Sequence, residues 1–432
     1  MWKNLVDEKY ADDMGTKYIA EDYIEEYINK VIHDAALSES KRPDLRALDE
    51  VRTLYAKAGG ISDVLHGSGI FYRGETHVMS VLTLAGPESM HTIDGVEFSA
   101  KKRFMHHYNF PPYSAGETGR VGGLNRREMG HGMLAEKALT PVIPDKISFP
   151  YTIRVVSEST ASNGSTSQAS ICASIVALMD GGVPIKTPVA GISIGVMMDE
   201  KDPSKYALIS DIQGPEDHYG DMDFKVAGTK DGITAIQLDI KVGGIPVQIL
   251  KDALVRAKTA RLKILETITA EIAEPRKDIS PNAPKIVVAK VNKDQIGLVI
   301  GPGGKNINAI REETGTEITI EEDGTVFITG KGDGADRAKK IIEDMTHEYQ
   351  IGDMEEGTVV KIMEFGAFVR IGRDTEGLVH VSEIAPFRVE RVSDILKEGD
   401  KVPVKLIKKD EKGRLSFSIK EANKDFFNGK RP

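Results

Sequence analysis

Near the N-terminus, Ile24, Tyr27, Ile28, Val31 and Ile32 recur at spacings of three and four among charged residues, which predicts an amphipathic helix running to about Ser38. The run Ile171, Cys172, Ile175, Val176, Leu178 and Met179 keeps that spacing and predicts a buried helix. Arg126 opens another helix, to about Leu139, and Tyr206 to Ile209 is a short apolar strand. Further on the period shortens. Glu317 to Ile320, Thr325 to Thr329, Thr358 to Ile362, Gly366 to Val369, Gly377 to Ser382 and Lys401 to Lys405 are expected as short strands between turns. The proline-bearing stretch Pro275 to Pro284, of mixed charge, is the clearest linker, and the polar tail after Ala422 is expected to be mobile.

Composition narrows the class. A chain of 432 residues has room for two to four domains, each with a core of its own. A formal net charge of −9 argues against general coating of a polyanion, so any nucleic-acid contact must be local. The single cysteine, Cys172, excludes an internal disulfide and a cysteine-based zinc site; it reads as a small core residue in a reducing cytoplasm. No run approaches the roughly 18 apolar residues of a membrane span, and no signal-peptide core opens the chain, so no membrane partner is expected.

Three segments carry candidate chemistry. Asp217-His218-Tyr219-Gly220-Asp221-Met222-Asp223-Phe224-Lys225 follows the strand at Tyr206, and alternation in an extended chain would project Asp221, Asp223 and Lys225 together, with Asp217 folding back toward them. Aspartate oxygens suit a hard cation such as Mg2+, and a lysine beside them offsets phosphate charge; taken alone, the segment also fits a solvated acidic turn. Ser162-Asn163-Gly164-Ser165-Thr166-Ser167 lies at the start of the buried helix, where free N–H groups and the dipole favour an oxyanion, although simple N-capping needs only one hydroxyl. Arg126, Arg127 and His131 offer cations suited to phosphate or an RNA backbone, or an ordinary charged helix surface. Before them, His107 to Tyr113 has the aromatic and proline content of a rigid loop that stacks bases or packs inward.

In the last third, Ile300-Gly301-Pro302-Gly303-Gly304-Lys305 contains the Gly-Xaa-Xaa-Gly loop of a KH domain, a turn that lets a single-stranded backbone approach closely. As a nucleotide phosphate loop it fails, because Asn306 stands where Ser or Thr is needed and the glycine spacing is wrong. Pro302 occupies a position where KH relatives often have a basic residue. The strands from Gly357 onward are similar to an S1-type OB barrel, with Phe365, Phe368 and His380 at aromatic positions of its binding face; Phe368 is the one best suited to the core instead.

Together Lys41 to Asp44, His66 to Ser68, Arg73 to Thr76, His107 to Tyr113, Gly116 to Gly119, Arg126 to His131, Phe149 to Ser167 and Asp217 to Gly228 resemble, in order, the second catalytic core of the polynucleotide phosphorylase family within the ribonuclease PH superfamily. The resemblance implies an α+β chain: the end of a helical linker (1–40), a ribonuclease PH-like core of the ribosomal protein S5 domain 2-like βαβ fold (41–275), a linker (276–284), an α/β KH domain (285–349), an all-β S1 barrel (354–421) and the tail (422–432). It implies phosphorolysis, in which inorganic phosphate attacks the 3′-terminal phosphodiester of RNA and releases a nucleoside diphosphate, reversibly, in mRNA degradation. Carried over, Asp217, Asp223 and Lys225 are catalytic, Asp217 and Asp223 hold Mg2+ (or Mn2+), and Asp223 protonates the leaving oxygen. Ser165, Thr166, Ser167, Arg126, Arg127 and His131 hold phosphate, while Gly301, Pro302, Gly303, Gly304, Lys305, Phe365, Phe368 and His380 bind RNA.

The expected partners are single-stranded RNA 3′ ends, copies of the chain in a ring, and proteins of an RNA-degradation assembly. The chain departs from the family pattern in beginning inside the linker, without the earlier core. It also has Leu45 where glycine is preferred and Thr166 in place of serine. A second reading is a non-catalytic RNA-binding subunit of a degradation assembly, which would have no need of Asp217, Asp223 and Lys225.

Overall fold

Two helices open the chain, α1 (Trp2–Lys9) and α2 (Met14–Glu39), the second capped by Asp13, whose carboxylate accepts the Thr16 N–H at 3.1 Å. The computed structural model describes residues 2–122, 125–372, 375–410 and 413–426, in two units divided between Pro284 and Lys285. The predicted stripe of α2 is narrower than expected. Ile24, Ile28 and Ile32 are half-buried, but Tyr27 and Val31 are exposed, because the helix meets the core only near its C-terminal end, where Ala36 packs with Met197, Ile209 and Ile212.

In the first unit the strands are β1 (Leu54–Ala58), β2 (Gly67–Arg73), β3 (Thr76–Ala85), β4 (His91–Asp94), β5 (Ser99–Lys102), β6 (Phe104–Asn109), β7 (Thr152–Ala161), β8 (Ala190–Met198), β9 (Tyr206–Ser210), β10 (Met222–Gly228) and β11 (Ile233–Ile240). The helices are α3 (Arg126–Leu139), α4 (Thr166–Asp180), α5 (Gly214–Tyr219) and α6 (Val247–Glu271). A five-stranded sheet runs β1-β2-β3-β7-β6, antiparallel except for β6 beside β7, and a four-stranded antiparallel sheet runs β11-β10-β8-β9.

Helix α4 lies between the sheets, against β2 and β3 of one and β8 and β10 of the other, and every residue from Thr166 to Met179 is buried. Its small residues allow close approach. A side chain at Gly69 would meet the Ala173 carbonyl at 2.4 Å, so helix and strand touch backbone to backbone there. The linker is strapped to this unit: Arg276 N–H donates to the Met179 carbonyl at 2.9 Å, its guanidinium pairs with Asp180 at 2.8 Å, and the Asn282 amide donates to the Asp63 carbonyl at 2.8 Å.

In the second unit β12 (Lys285–Lys290), β14 (Thr325–Gly330) and β13 (Glu317–Ile320) form an antiparallel sheet in the order β12-β14-β13. It shares an apolar core of Val299, Ile310, Ile328 and Ile342 with α7 (Ile296–Ile300), α8 (Lys305–Thr314) and α9 (Gly334–Thr346). A closed barrel follows in the order β15-β16-β17-β19-β18, from β15 (Met354–Met363), β16 (Gly366–Ile371), β17 (Thr375–His380), β18 (Lys401–Lys409) and β19 (Leu415–Ser418). The strand expected to reach Ser382 stops at His380, where a 3-10 turn (Val381–Glu383) begins. The expected mobile tail after Ala422 lies largely outside the described residues, which end at Phe426.

Candidate active site

Helix α4 begins where Gly164 and Ser165 both take the left-handed conformation, at φ 85° and φ 50°. Glycine is required at 164, since a side chain there would meet the Ile212 carbonyl at 2.6 Å. The first amides of a helix have no partner within it, so this opening offers donors backed by the dipole of a 15-residue helix. The buried hydroxyls of Ser165 and Ser167 have no hydrogen-bond partner. Thr166 differs from expectation, because its hydroxyl is engaged with Ser162 Oγ.

On β10, Asp223 and Lys225 share a face and pair at 2.6 Å, both largely buried. Asp223 Oδ1 has no partner. Burial raises the Asp223 pKa, Lys225 pulls against that, and the charge of Asp217 adds to the rise. Asp217, half-exposed on α5, lies 3.7 Å from Lys241.

Asp221 does not join them, contrary to expectation. It precedes the strand and turns away, its carboxylate accepting Met198 N–H at 2.7 Å and meeting His33 of α2 at 3.2 Å.

Helix α3, capped by Asn125, brings His131 toward the same place. The His131 pKa is pushed down to about 4, first by burial and then by Lys225 and Arg127, so the ring is neutral at pH 7. Arg127 lies 4.1 Å over the Phe110 ring, and Tyr108 meets His131 edge-on at 5.4 Å. Arg126 is exposed and makes no ion pair or hydrogen bond among the described residues, so the structure gathers one arginine of the two.

The stretch His107 to Tyr113 is not a loop throughout. His107 to Asn109 end strand β6, whose alternation turns His106 and Tyr108 inward and His107 and Asn109 outward, and of the stretch's tyrosine and phenylalanine rings Tyr113 alone is exposed. Tyr108 belongs to the stretch expected to stack bases or pack inward, and it packs inward; Lys241 was not visible as a site residue. Lys241 arrives through the β10–β11 hairpin register, which sets its N–H 3.0 Å from the Asp221 carbonyl.

Among the described residues no three His, Cys, Asp or Glu side chains cluster as a self-contained metal cage. Asp217 and Asp223, with one buried unpartnered oxygen, nevertheless suit a Mg2+ ion of the kind held by one or two carboxylates together with substrate phosphates.

In the second unit Gly301, Gly303 and Gly304 all have positive φ, and the loop joins α7 to α8 with Pro302 and Lys305 exposed. Asn306, the residue that spoiled the nucleotide-loop reading, donates to the Leu298 carbonyl at 2.8 Å and staples the two helices across the turn. In the barrel, Ala367, Val369 and Ile371 point inward, which turns Phe368 outward beside Leu378, Lys361 and Arg370. Phe368 is half-buried on the outer face, not in the core. His380, opposite Gly366, and Phe365, 46% exposed, extend that face.

Residues 50–184 match the 3' exoribonuclease family, domain 1; residues 285–344 match the KH domain and 348–420 the S1 RNA binding domain. The polyribonucleotide nucleotidyltransferase of Halothermothrix orenii is 52% identical over 403 residues, 93% of this chain and 57% of that one. That of Anoxybacillus flavithermus is 49% identical over 420 residues, 97% of this chain and 59% of that one. A chain of the Archaeoglobus fulgidus exosome, solved with RNA bound to the active site, covers 56% of this chain and 98% of its own length at 16% identity and a TM-score of 0.45. The 3' exoribonuclease, KH and S1 matches follow one another in that order, and the chain is similar along nearly its whole length to polyribonucleotide nucleotidyltransferases, spanning somewhat over half the length of the curated relatives it matches.

Proposed function

We propose that this chain carries out phosphorolytic 3′-to-5′ degradation of RNA, and the reverse template-independent synthesis from nucleoside diphosphates. The observation that carries the reading is a buried Asp223–Lys225 pair on β10, a strand packed against α4, together with the anion-ready opening of α4, whose Ser165 and Ser167 hydroxyls are unpartnered. The hydroxyls and the first amides of α4 hold the attacking phosphate, and Arg127 and Lys225 balance its charge. An oxygen of that phosphate bonds to the phosphorus of the 3′-terminal nucleotide as the bond from that phosphorus to the preceding 3′ oxygen breaks. Asp223, whose burial favours the protonated form, gives its proton to the leaving oxygen. Neutral His131, packed against Tyr108, orders the phosphate side of the site. Asp217 and Asp223 would hold Mg2+, with Mn2+ able to substitute; the ion supplies fixed positive charge against the phosphate oxygens. A phosphodiester is exchanged for a diphosphate linkage, so the reaction runs in either direction with the concentrations.

The KH loop and the outer face of the S1 barrel support single-stranded RNA as the substrate. A ring of several copies, a place among RNA-degradation proteins in mRNA turnover, and a cytoplasmic setting belong to the same proposal. No described helix is long and apolar enough to cross a membrane.

The test is incubation with labelled oligoadenylate and magnesium, with and without inorganic phosphate. ADP released only with phosphate supports the reading. AMP released without it would make the chain a hydrolase, and RNA binding without product would make it a binding subunit.

A further inference from the structure

Behind the opening of α4 sits a cluster of charges with no exposed role. Asp211, fully buried and itself left-handed at φ 54°, pairs with Arg52 and with Arg73, each at 2.7 Å. The two arginines reach past it to three successive carbonyls. Arg52 donates to Asn163 O at 2.6 Å, and Arg73 donates to Ser165 O at 2.9 Å and Gly164 O at 3.3 Å. Thr76, also fully buried, closes the set: its hydroxyl donates to Gly164 O at 3.2 Å and accepts Asn163 N–H at 3.0 Å. The Asn163 side chain carries the arrangement onward, its Oδ1 accepting the N–H of Gly214, the first residue of the helix that bears Asp217.

In a trans peptide the C=O and the following N–H point in opposite directions. Holding the carbonyls of 163, 164 and 165 against buried guanidinium groups therefore turns the N–H groups of Gly164, Ser165 and Thr166 the other way, out of the helix opening. The same grip explains how Ser165 is kept in a conformation that side-chain-bearing residues avoid. We infer that Asp211, Arg52, Arg73 and Thr76 form a positioning clamp that pre-orients the amides receiving the attacking phosphate, without touching the reacting atoms. The inference rests on reading the α4 opening as the phosphate subsite.

Removing Asp211 would strand two buried guanidinium groups and risks unfolding, so the test uses Arg73→Lys and Thr76→Val, which keep the charge and the shape respectively. Initial rates with varied inorganic phosphate, RNA affinity and thermal melting are measured for the wild-type chain and both variants. Expected is a rise of about tenfold in KM for phosphate, the cost of about one charge-assisted hydrogen bond, with kcat at saturating phosphate within about threefold and RNA affinity unchanged. An unchanged KM for phosphate in folded variants overturns the clamp, as does a parallel fall in kcat, RNA affinity and melting temperature. If the wild-type chain shows no phosphate-dependent turnover, the functional reading fails first, and the clamp is then read from line broadening of inorganic phosphate in 31P spectra. Equal broadening by wild type and variants overturns the clamp alone; no broadening by the wild type overturns the phosphate subsite and the clamp together.

Discussion

Asp223 and Leu45 show how differently two residues can be constrained. Asp223→Asn keeps the shape but removes the ionisable proton. Turnover should fall by about 10²–10⁴-fold, the usual worth of a positioned general acid, while RNA affinity holds. Phosphate-dependent ADP release and RNA titration on the same preparation check this, and undiminished turnover would remove Asp223 from the mechanism. Leu45 stands at φ 64° with its side chain exposed, so it carries a backbone cost with little packing in return. Leu45→Gly should raise stability by about 1 kcal/mol, with the greater freedom of glycine in the unfolded chain offsetting part of the gain; a lower denaturation midpoint would show that the leucine is anchored after all. Asp223, Lys225 and Ser165 could be singled out in the sequence because a charged strand segment and a hydroxyl-rich helix start marked them, and Leu45 because the family resemblance implies glycine there. Asp211, Arg52 and Arg73 could not be given a role there, since a buried charge looks like an exposed one until the chain has folded around it.

Among the elements, α4 was legible because its three-and-four spacing runs unbroken from Ile171 to Met179, and α3 spans Arg126 to Leu139 as expected. The strand β19 was missed: Leu415–Ser418 is four residues long, too short for alternation to stand out, and it joins the barrel through pairing with β17 and β18. The alternative placing of Phe368 in the core failed for a related reason. Alternation fixes which residues share a face but not which face is inside, and only the pairing of Val369 and Ala367 with the core decides it. Phe365→Ala and Phe368→Ala should each weaken binding of single-stranded RNA by about 1–3 kcal/mol, as loss of a stacking platform does. Fluorescence titration of an isolated 285–432 chain, after its folding has been verified, would measure it; Phe368→Ala lowering the melting temperature without altering affinity would return that ring to the core.

For the whole molecule, the buried histidines set the response to acid. His106, fully enclosed with its Nε2 3.0 Å from Ser157 Oγ and Ser174 Oγ, is pushed down to about 3, chiefly by burial, and His131 to about 4. Both are lowered on folding, so the unfolded chain takes up protons from about pH 6.5 downward while the folded chain does not, and stability falls as pH drops from there toward 4. Asp211, held down to about 2 by its arginines against the opposing cost of burial, adds a loss only below about 3.8. Asp223, raised by burial, works in the opposite sense. The melting temperature of the first unit should therefore decline steadily between pH 7 and pH 4, and His106→Gln should flatten the slope; an unaltered slope would mean that His106 is protonated in the fold.

The lone thiol offers one more consequence. Cys172 sits wholly inside the helix between the two sheets, its pKa pushed up to about 11 by burial. A soluble alkylating reagent can reach it only when that sandwich parts, so the chain carries its own chemical clock for opening of the core. Modification followed by mass spectrometry should be negligible in the native state and should speed up with denaturant in step with unfolding. Rapid labelling of the undisturbed protein would mean that the sheets open locally long before the molecule as a whole gives way.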